Sequence, residues 1–311
     1  MSLKDRTVGV MMGGLSSERD VSLKSGSAVL EALKFAGLRA ISLEVVDETY
    51  EGIKSLVESN GVNVVFVAMH GGFGEDGRLQ GILERLGIAF TGPAERASSL
   101  AMDKIISRKL FQKAGLNIPK YRHFQKGSDS SLFPFIVKDL SYPLVVKPSD
   151  QGSSIGISFI DSDLLLNPAL SEAFKYSNVA IAEEFILGRE ITVSVFDKKA
   201  LPIVEIIPKK RFFDFQAKYE KGLTDYIVPA ELDERVVHQA QSDAITAYET
   251  LGCRHLSRVD MIVDRSGRVY CLEVNTVPGM TTTSLFPKAA AAAGMDFPGL
   301  CTRLLELACE A

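Results

Sequence analysis

Cysteine and histidine are scarce in this sequence of 311 residues, with four of each. The cysteines (Cys253, Cys271, Cys301 and Cys309) are scattered and form no CxxC pair. This spacing argues against a disulfide framework and against a zinc site. No two histidines are spaced as a pair on one helix face, which argues against a histidine-rich metal site. We therefore expect reduced thiols in or near the core of a cytoplasmic enzyme or binding protein.

Long apolar runs and a surplus of basic residues are also missing. No run approaches the roughly 20 residues that a membrane-spanning helix needs, and VGVMM (8–12) stops at Gly13-Gly14 without a signal-peptide cleavage site. Lys and Arg total 35 against 39 Asp and Glu, which gives a formal net charge of −4. We expect neither a membrane partner nor a nucleic-acid partner. The length indicates two or three domains.

Strand and helix patterns alternate in the first part of the chain. Apolar strands are predicted at RTVGVMM (6–12), LRAISLEV (38–45), VNVVFVAM (62–69) and IAFT (88–91). Amphipathic helices are predicted between them at 20–37, 50–59 and 77–87. This alternation is typical of a doubly wound α/β domain with a parallel sheet, in which ligands lie beyond the carboxyl ends of the strands.

The pattern changes after Thr91-Gly92-Pro93. A helical stretch is predicted over roughly residues 95–115, followed by strands that are joined by Gly/Ser turns. Longer strands follow from Gly188 onward, with an irregular segment at 211–230, a helix at about 233–251 and a C-terminal helix. The C-terminal half therefore indicates an α+β arrangement.

A hairpin near the C-terminus carries acidic and amide side chains on alternate positions. SRVDMIV (257–263) and RVYCLEVN (268–275) flank the turn sequence DRSG. If Val263 lies opposite Tyr270, Asp260 falls opposite Glu273, with Leu272 and Val274 facing the core. Hard oxygen ligands without thiolate or imidazole suit Mg²⁺. The alternative is an exposed polar face with Arg258 as counter-ion.

Two Gly-containing segments offer backbone N–H groups to anions. VVKPSDQGSSIGI (145–157) places a lysine at a strand end before a Gly/Ser-rich turn, although it is not a Walker A loop. GGLSSERDVS (13–22) joins the first strand to the first helix without a GxGxxG fingerprint, which disfavours a nicotinamide enzyme. Glu18 there either complements the helix dipole or receives a substrate ammonium. The alternative for the first segment is a flexible hairpin loop.

Three further segments have both a functional and a structural interpretation. MHGGFGEDG (69–77) puts His70 at a strand end, where it is either a ligand-binding or a structural histidine. AKYEKGLTDY (217–226) is either a lid or a solvated charge run. NTVPGMTTTSLFP (275–287) either aims the Gly279 N–H at the metal side or forms a turn whose next helix is capped by Ser284.

Taken together, these segments resemble a known family. GGLSSERDVSL, HGGFGEDG, MDKIISRKL, VVKPSDQGSSIGI, AKY, SRVDMIVD and LEVNTVPGMTTTSL are similar, in order and spacing, to the motifs of the D-alanine–D-alanine ligases of the ATP-grasp superfamily. The resemblance implies a three-domain ATP-grasp fold. Residues 1–92 would be the N-terminal substrate-binding domain, 93–184 the central subdomain with the phosphate loop, and 185–311 the C-terminal subdomain with metal site and lid.

The resemblance also implies roles for individual residues, as cosubstrate, metal, catalytic and substrate contacts. Those implied for ATP are Lys104, Lys147, Ser153, Ser154, Glu183, Phe185, Ile186, Glu190 and Lys218. Those implied for two Mg²⁺, with Mn²⁺ as an alternative, are Asp260, Glu273 and Asn275. Those implied for catalysis are Glu18, Ser153, Tyr219, Arg258 and Gly279. Those implied for substrate binding are His70, Ser284 and Leu285.

The implied reaction joins two D-alanines through an acyl phosphate for peptidoglycan precursor synthesis. The family resemblance further implies a cytoplasmic homodimer, and Tyr219 is the lid residue that accompanies dipeptide formation in the family. Two alternatives remain open. One is a different acceptor, D-serine or D-lactate, on the same fold, and the other is a non-catalytic ATP-binding protein.

Overall fold

The apolar strands of the N-terminal part form a parallel sheet with helices on both faces. The computed structural model describes residues 3–209 and 224–310. The elements in chain order are β1 (Val8–Gly13), α1 (Arg19–Phe35), β2 (Ala40–Val45), α2 (Tyr50–Ser59), β3 (Val64–Val67), α3 (Arg78–Arg85) and β4 (Ala89–Phe90). The strand order is β2-β1-β3-β4, and every pairing is parallel. The doubly wound prediction is thus confirmed.

Two hydrophobic cores cover the two faces of this sheet. Val8 and Val10 of β1 pack against α1, and the C-terminal helix lies in the same core through Leu300 and Leu304. Met11 faces the other side, with the buried residues of α2 and α3. The strand order reverses at β1 and β3, because β2 lies on one side of β1 and β3 lies on the other. The loops that follow β1 and β3 therefore meet at the position where such sheets bind ligands.

A second sheet follows in the chain and is antiparallel. Its elements are α4 (Glu95–Met102), α5 (Lys104–Lys113), β5 (Tyr121–Gln125), α6 (Phe133–Val137), β6 (Leu144–Pro148), β7 (Ser158–Ile160), α7 (Leu166–Ala173) and β8 (Val179–Glu184). The strand order is β5-β8-β6-β7. Leu144 and Val146 pack against α7 on one face.

The helical stretch predicted over residues 95–115 is helical but consists of two helices. Helix α4 ends at Met102, and Asp103 has an extended backbone with φ −78° and ψ 100°. Its carboxylate accepts hydrogen bonds from the N–H groups of Ile105 at 2.8 Å and Ile106 at 3.0 Å, so it caps α5. The apolar periodicity continued across this break and concealed it.

A third, larger antiparallel sheet completes the fold. Its elements are β9 (Gly188–Phe196), β10 (Lys199–Ala200), β11 (Val204–Pro208), β12 (Thr224–Ile227), α8 (Glu234–Leu251), β13 (Leu256–Asp264), β14 (Val269–Asn275), α9 (Leu285–Ala292) and α10 (Phe297–Glu310). The strand order is β12-β11-β9-β13-β14, with β10 added on β9. Helix α8 covers one face through Ala240, Ala244 and Ala247. The single predicted C-terminal helix is in fact two, α9 and α10.

The hairpin of β13 and β14 contains a bulge that the sequence did not predict. Val263 pairs with Val269, not with Tyr270, yet the register shifts between Asp260 and Met261, so that Asp260 still lies opposite Glu273. The bulge also brings Leu272 to the same face as Glu273, where both line a cavity. The prediction that Leu272 faces the core is therefore wrong.

The junction between the first two sheets is held by the third. His255 is buried with φ +62°, and its Nδ1 accepts a hydrogen bond of 3.2 Å from the Gly92 N–H. Arg254 donates to the Gly92 carbonyl at 3.1 Å and lies 4.8 Å from the centre of the Phe90 ring. Within residues 3–209 and 224–310, no helix has the length and apolar character to cross a membrane.

We predict that His255 makes the protein less stable in mild acid. Burial, with the help of Arg254, lowers the pKa of His255 from 6.5 to about 4. The unfolded chain therefore binds a proton first, and stability falls as the pH drops from about 6.5 towards about 4. His255→Asn tolerates the positive φ and presents an amide oxygen to Gly92. The urea midpoint of this variant should fall less over that pH range.

His238→Asn is the matched control, because His238 lies exposed on α8. Its urea midpoints should follow those of the wild type. An identical acid dependence in the wild type and in His255→Asn would contradict the prediction.

Candidate active site

A cavity of about 380 Å³ lies between the second and third sheets. Apolar residues from both sheets line it, among them Val145, Ile157, Phe159 and Leu272. The residues from the predicted set that line it are Lys104, Lys147, Ser154, Glu183, Phe185, Ile186, Glu190, Asp260 and Glu273. An apolar slot with lysines at one end has the shape and charge of a site for a purine nucleotide.

A second cavity of about 700 Å³ adjoins the first at the carboxyl edge of the parallel sheet. The predicted residues that line it are Glu18, His70, Ser153, Arg258, Asn275, Gly279, Ser284 and Leu285. Lys104, Gly152 and Glu273 line both cavities, so the two spaces meet at these residues. Ligands in the two cavities would therefore touch beside a lysine and a carboxylate.

The acidic and amide side chains of the hairpin lie on neighbouring strands, with Asp260 opposite Glu273. Asp260 accepts from Arg258 Nε and Nη2, both at 2.9 Å, and from the buried hydroxyl of Thr192 at 2.7 Å. Glu273 Oε2 lies 3.4 Å from Lys104 Nζ. Arg258 pairs across the strands with Asn275. In the described part of the chain, no group of three acidic, histidine or cysteine side chains forms a metal site.

The donor chemistry nevertheless fits a hard divalent cation. Two carboxylates and an amide oxygen on neighbouring strands are few protein ligands, but Mg²⁺ is typically held by one or two carboxylates together with phosphate oxygens. Each of the two acids has a cationic side chain as its partner. A triphosphate or a substrate carboxylate would attract these cations. Asp260, Glu273 and Asn275 are therefore the residues that would hold the metal.

Glu183, a buried acid that lines the first cavity, lies between two cations. Glu183 Oε1 is 2.8 Å from Lys147 Nζ, and Oε2 forms a close ion pair with Arg108 Nη1. Burial alone would raise the pKa of Glu183, but Arg108 and Lys147 outweigh it, and the pKa lies below its ordinary value. Burial lowers the pKa of Lys147. Sequence reasoning missed Arg108, whose one signal was its position one turn after Lys104 on α5.

Glu18 and Ser153 meet across 135 residues of sequence. The Ser153 hydroxyl donates to Glu18 Oε1 from a loop in which Ser153 and Ser154 have φ of +50° and +60°. Glu18 precedes α1, but its side chain makes no capping hydrogen bond with that helix. It is buried and lines the second cavity, which favours ligand binding over a capping role.

His70 connects three segments through its ring. Nδ1 lies 3.0 Å from the carbonyl oxygen of Val277, so this nitrogen carries the proton and donates. Nε2 lies 2.9 Å from the Ser25 hydroxyl, which in turn accepts from the Met280 N–H at 3.3 Å. Glu75 Oε1 is 3.5 Å from Nδ1. His70 lines the cavity, yet both ring nitrogens fix the turn at 277–280 against β3 and α1.

That turn leads to Ser284 at the start of α9. Ser284 occupies the N-cap position, but its side chain makes no capping hydrogen bond, contrary to one interpretation of the sequence. Its Oγ instead accepts from the Thr281 N–H at 3.1 Å and lies 2.8 Å from the Thr281 hydroxyl. A Cβ on Gly279 would lie 3.0 Å from the same Oγ. Gly279, Ser284 and the first turn of α9 therefore form one wall of the second cavity.

Phe185 and Glu190 line the first cavity, and two further predicted residues lie outside the described residues. The Phe185 N–H donates to the Pro143 carbonyl at 3.0 Å, so this backbone donor is already used, and the Phe185 ring packs edge-on against Phe159. Glu190 lies on β9 opposite Ile206 of β11. Lys218 and Tyr219 lie outside the described residues.

The first cavity lies between two antiparallel sheets, is lined by lysines and paired acids, and adjoins a second cavity. This arrangement defines an ATP-grasp ligase. Comparisons with known proteins define the family. The family models described as "D-ala D-ala ligase C-terminus" and "D-ala D-ala ligase N-terminus" match residues 110–306 and 44–93. The chain belongs to the D-alanine–D-alanine ligase family.

Individual relatives cover almost the whole chain. The D-alanine–D-alanine ligase of Pelotomaculum thermopropionicum is 43% identical, over 100% of this chain and 98% of its own. That of Geotalea uraniireducens is 42% identical over 98% and 96%. The Bacillus anthracis ligase complexed with ATP superposes with a TM-score of 0.85 at 31% identity, over 98% of each chain. The VanG D-Ala:D-Ser ligase of Enterococcus faecalis gives 0.84 at 30% identity, over 97% and 99%.

We predict that Thr192→Val destabilises the fold by about 2 kcal/mol, the usual worth of a hydrogen bond to a charged group. Thr192 is fully buried, and its hydroxyl is bonded to Asp260. Valine keeps the shape and removes the bond. Urea unfolding measures the difference.

Ser194→Ala is the matched control two residues along the same strand. Ser194 is equally buried, and its hydroxyl has no hydrogen-bond partner in the described part of the chain. Its loss should change the free energy of unfolding little or raise it. Equal losses for the two variants would contradict the proposed difference.

Proposed function

We propose that this chain joins two D-alanines at the expense of ATP, for use in peptidoglycan precursors. The observation that carries the proposal is the pair of adjoining cavities that share Lys104, Gly152 and Glu273. A reaction that passes a phosphoryl group from a nucleotide to an amino acid needs this contact between two binding spaces. We take D-alanine as the amino acid from the names of the relatives.

The reaction proceeds in two steps, formation of an acyl phosphate and formation of the amide. A carboxylate oxygen of the first D-alanine attacks the γ-phosphorus of ATP, which forms an acyl phosphate and releases ADP. The amine of the second D-alanine, after losing a proton from its ammonium form, attacks the acyl carbon. The C–O bond to phosphate breaks, and the nitrogen loses a second proton, which leaves with the phosphate, as the amide forms. Negative charge develops in both steps, and nearby cations and N–H donors stabilise it.

We assign the roles from position and charge. Glu18, held by Ser153, binds the ammonium of the first D-alanine, and Arg258 with the Gly279 N–H faces its reacting carboxylate. Ser284 and the Leu285 N–H bind the carboxylate of the second, and His70 holds the turn that presents them. Lys218 and Tyr219 carry the lid roles that the family resemblance implies.

Lys104 and Lys147 bind phosphate oxygens, and the loop at Ser154 covers them. Glu183, the backbone of Phe185 and Ile186, and Glu190 bind the adenosine. Asp260, Glu273 and Asn275 would hold two Mg²⁺ ions, or Mn²⁺, whose charge neutralises the phosphate oxygens.

Several finer assignments belong to the same proposal. A division into domains at 1–92, 93–184 and 185–311 is supported by the separation of the three sheets along the chain. A homodimer and a cytoplasmic location are proposed from the family resemblance. A non-catalytic ATP-binding protein is disfavoured because Asp260 and Glu273 are both acidic.

D-Serine is the second candidate acceptor. The resemblance in fold to the VanG D-Ala:D-Ser ligase, at a TM-score of 0.84, is almost equal to that of the Bacillus anthracis D-alanine–D-alanine ligase. The higher sequence identity, 43%, is to a relative named D-alanine–D-alanine ligase, and this favours D-alanine.

The proposal is tested by phosphate release from ATP with each amino acid. We expect release that requires D-alanine together with Mg²⁺, that stops with a chelator, and that L-alanine does not support. Chromatography of the product with D-alanine alone, and with D-serine or D-lactate added, identifies the acceptor. Release without any D-amino acid, or a mixed product in preference to the dipeptide, would contradict the proposal.

We also predict that Gly71→Ala weakens the binding of D-alanine, because Glu18 needs the space beside Gly71. A Cβ on Gly71 would lie 2.6 Å from Glu18 Oε2. A displacement of about 1 Å in a substrate-binding group costs up to about 100-fold, so the KM for D-alanine should rise at least about tenfold. Steady-state kinetics at saturating ATP measures it.

Gly72→Ala is the control for backbone strain. Gly72 also has a positive φ, of +39°, but a Cβ there meets nothing within 4 Å. Its KM for D-alanine should stay close to the wild-type value. A similar KM for both alanine variants would remove Glu18 as the cause.

A further inference from the structure

Arg108 has no exposed surface, although it carries a permanent charge. It lies on α5 one turn after Lys104, so both side chains project from the same face of the helix. Lys104 reaches the junction of the two cavities, where it lies 3.4 Å from Glu273. Arg108 is buried and pairs with Glu183, which lines the nucleotide cavity.

Burial of this arginine is costly for the fold. Arginine is almost never fully buried unless it is paired, and a well-packed apolar residue at a buried ion pair is often as stable or more so. Arg108 has the Glu183 carboxylate and the Tyr121 ring, 5.3 Å away, as its partners. In the described residues its three side-chain nitrogens form no well-aligned hydrogen bond. Stability alone therefore does not account for an arginine at this position.

The arrangement around Glu183 separates its two oxygens. Arg108 approaches Oε2 from inside the protein, and Lys147 approaches Oε1 at 2.8 Å. Glu183 and Lys147 line the nucleotide cavity, whereas Arg108 lines neither of the two cavities described. Without Arg108, both oxygens would compete for the single ammonium group of Lys147, and the carboxylate would be free to rotate towards it.

We propose that Arg108 is a positioning residue that fixes the Glu183 carboxylate as a hydrogen-bond acceptor for the amino group of adenine, and thereby sets the preference for ATP over GTP. Adenine carries a donor amino group where guanine carries a carbonyl oxygen. A fixed carboxylate oxygen attracts the first and repels the second. The inference rests on the nucleotide site of the proposed function and adds its specificity.

The test is the ratio of dissociation constants, Kd(GTP)/Kd(ATP), measured by calorimetry with Mg²⁺ and without amino acid. In Arg108→Met the side chain fills a similar volume but lacks the charge and the planar guanidinium group. The ratio Kd(GTP)/Kd(ATP) of this variant should fall about tenfold, which is the effect of one misplaced hydrogen-bonding group. Arg108→Lys restores the charge and should recover part of the ratio. Arg122→Met is the matched control, because Arg122 lies next to Tyr121 but pairs with the exposed Asp139.

An unchanged ratio in Arg108→Met, or an equal loss of affinity for both nucleotides, would show a merely structural role and overturn the proposal. If Arg108→Met does not fold, Arg108→Lys decides, since a lysine cannot hold the carboxylate with a planar fork. An unchanged ratio there overturns the proposal as well. A wild-type chain that prefers ATP but does not ligate D-alanine would contradict the proposed function alone.

Discussion

A carboxylate taken out of water costs several kcal/mol unless a charge or a hydrogen-bond donor replaces its hydration. The acids of the two cavities meet this requirement with partners from other elements or loops. Glu183 on β8 has Arg108 and Lys147, Glu273 on β14 has Lys104, and Glu18 has Ser153. Most of these partners lie far away in the sequence, so the charges converge only when the three sheets pack together.

This pairing explains how an acid-rich cavity is prepared for an anionic ligand. Lys104 and Arg258 neutralise Glu273 and Asp260, and they are also the cations that face the junction of the cavities. A triphosphate and a substrate carboxylate attract the same cations and so expose acid oxygens for a divalent metal. If these ligands bind as proposed, nucleotide, metal and amino acid would bind more favourably together than separately, because each would relieve a charge that another leaves uncompensated.

Features that depend on the periodicity of side chains within one strand or helix could be predicted from the sequence. Features that depend on contacts between different elements could not. Alternation along β13 and β14 predicted that Asp260 lies opposite Glu273, and this pairing is observed, although a bulge shifts the register by one residue nearer the turn. The side chain of Asp103 ended a helix that apolar periodicity extended. Arg108 was missed because a buried cation has no local pattern, since its partner Glu183 is 75 residues away on β8.

At the second cavity, too, the glycines could be interpreted from the sequence, whereas His70 could not. Gly71 and Gly279 fit beside Glu18 and Ser284 because a Cβ would occupy the space of those side chains, and a Gly-rich sequence indicates such close approach. The role of His70 was not decidable from its position at a strand end. Its ring nitrogens contact the Val277 carbonyl and the Ser25 hydroxyl, which leaves neither nitrogen for a ligand as long as the turn at 277–280 is in place. A histidine whose two nitrogens are used in this way would affect substrate only through the turn that it holds.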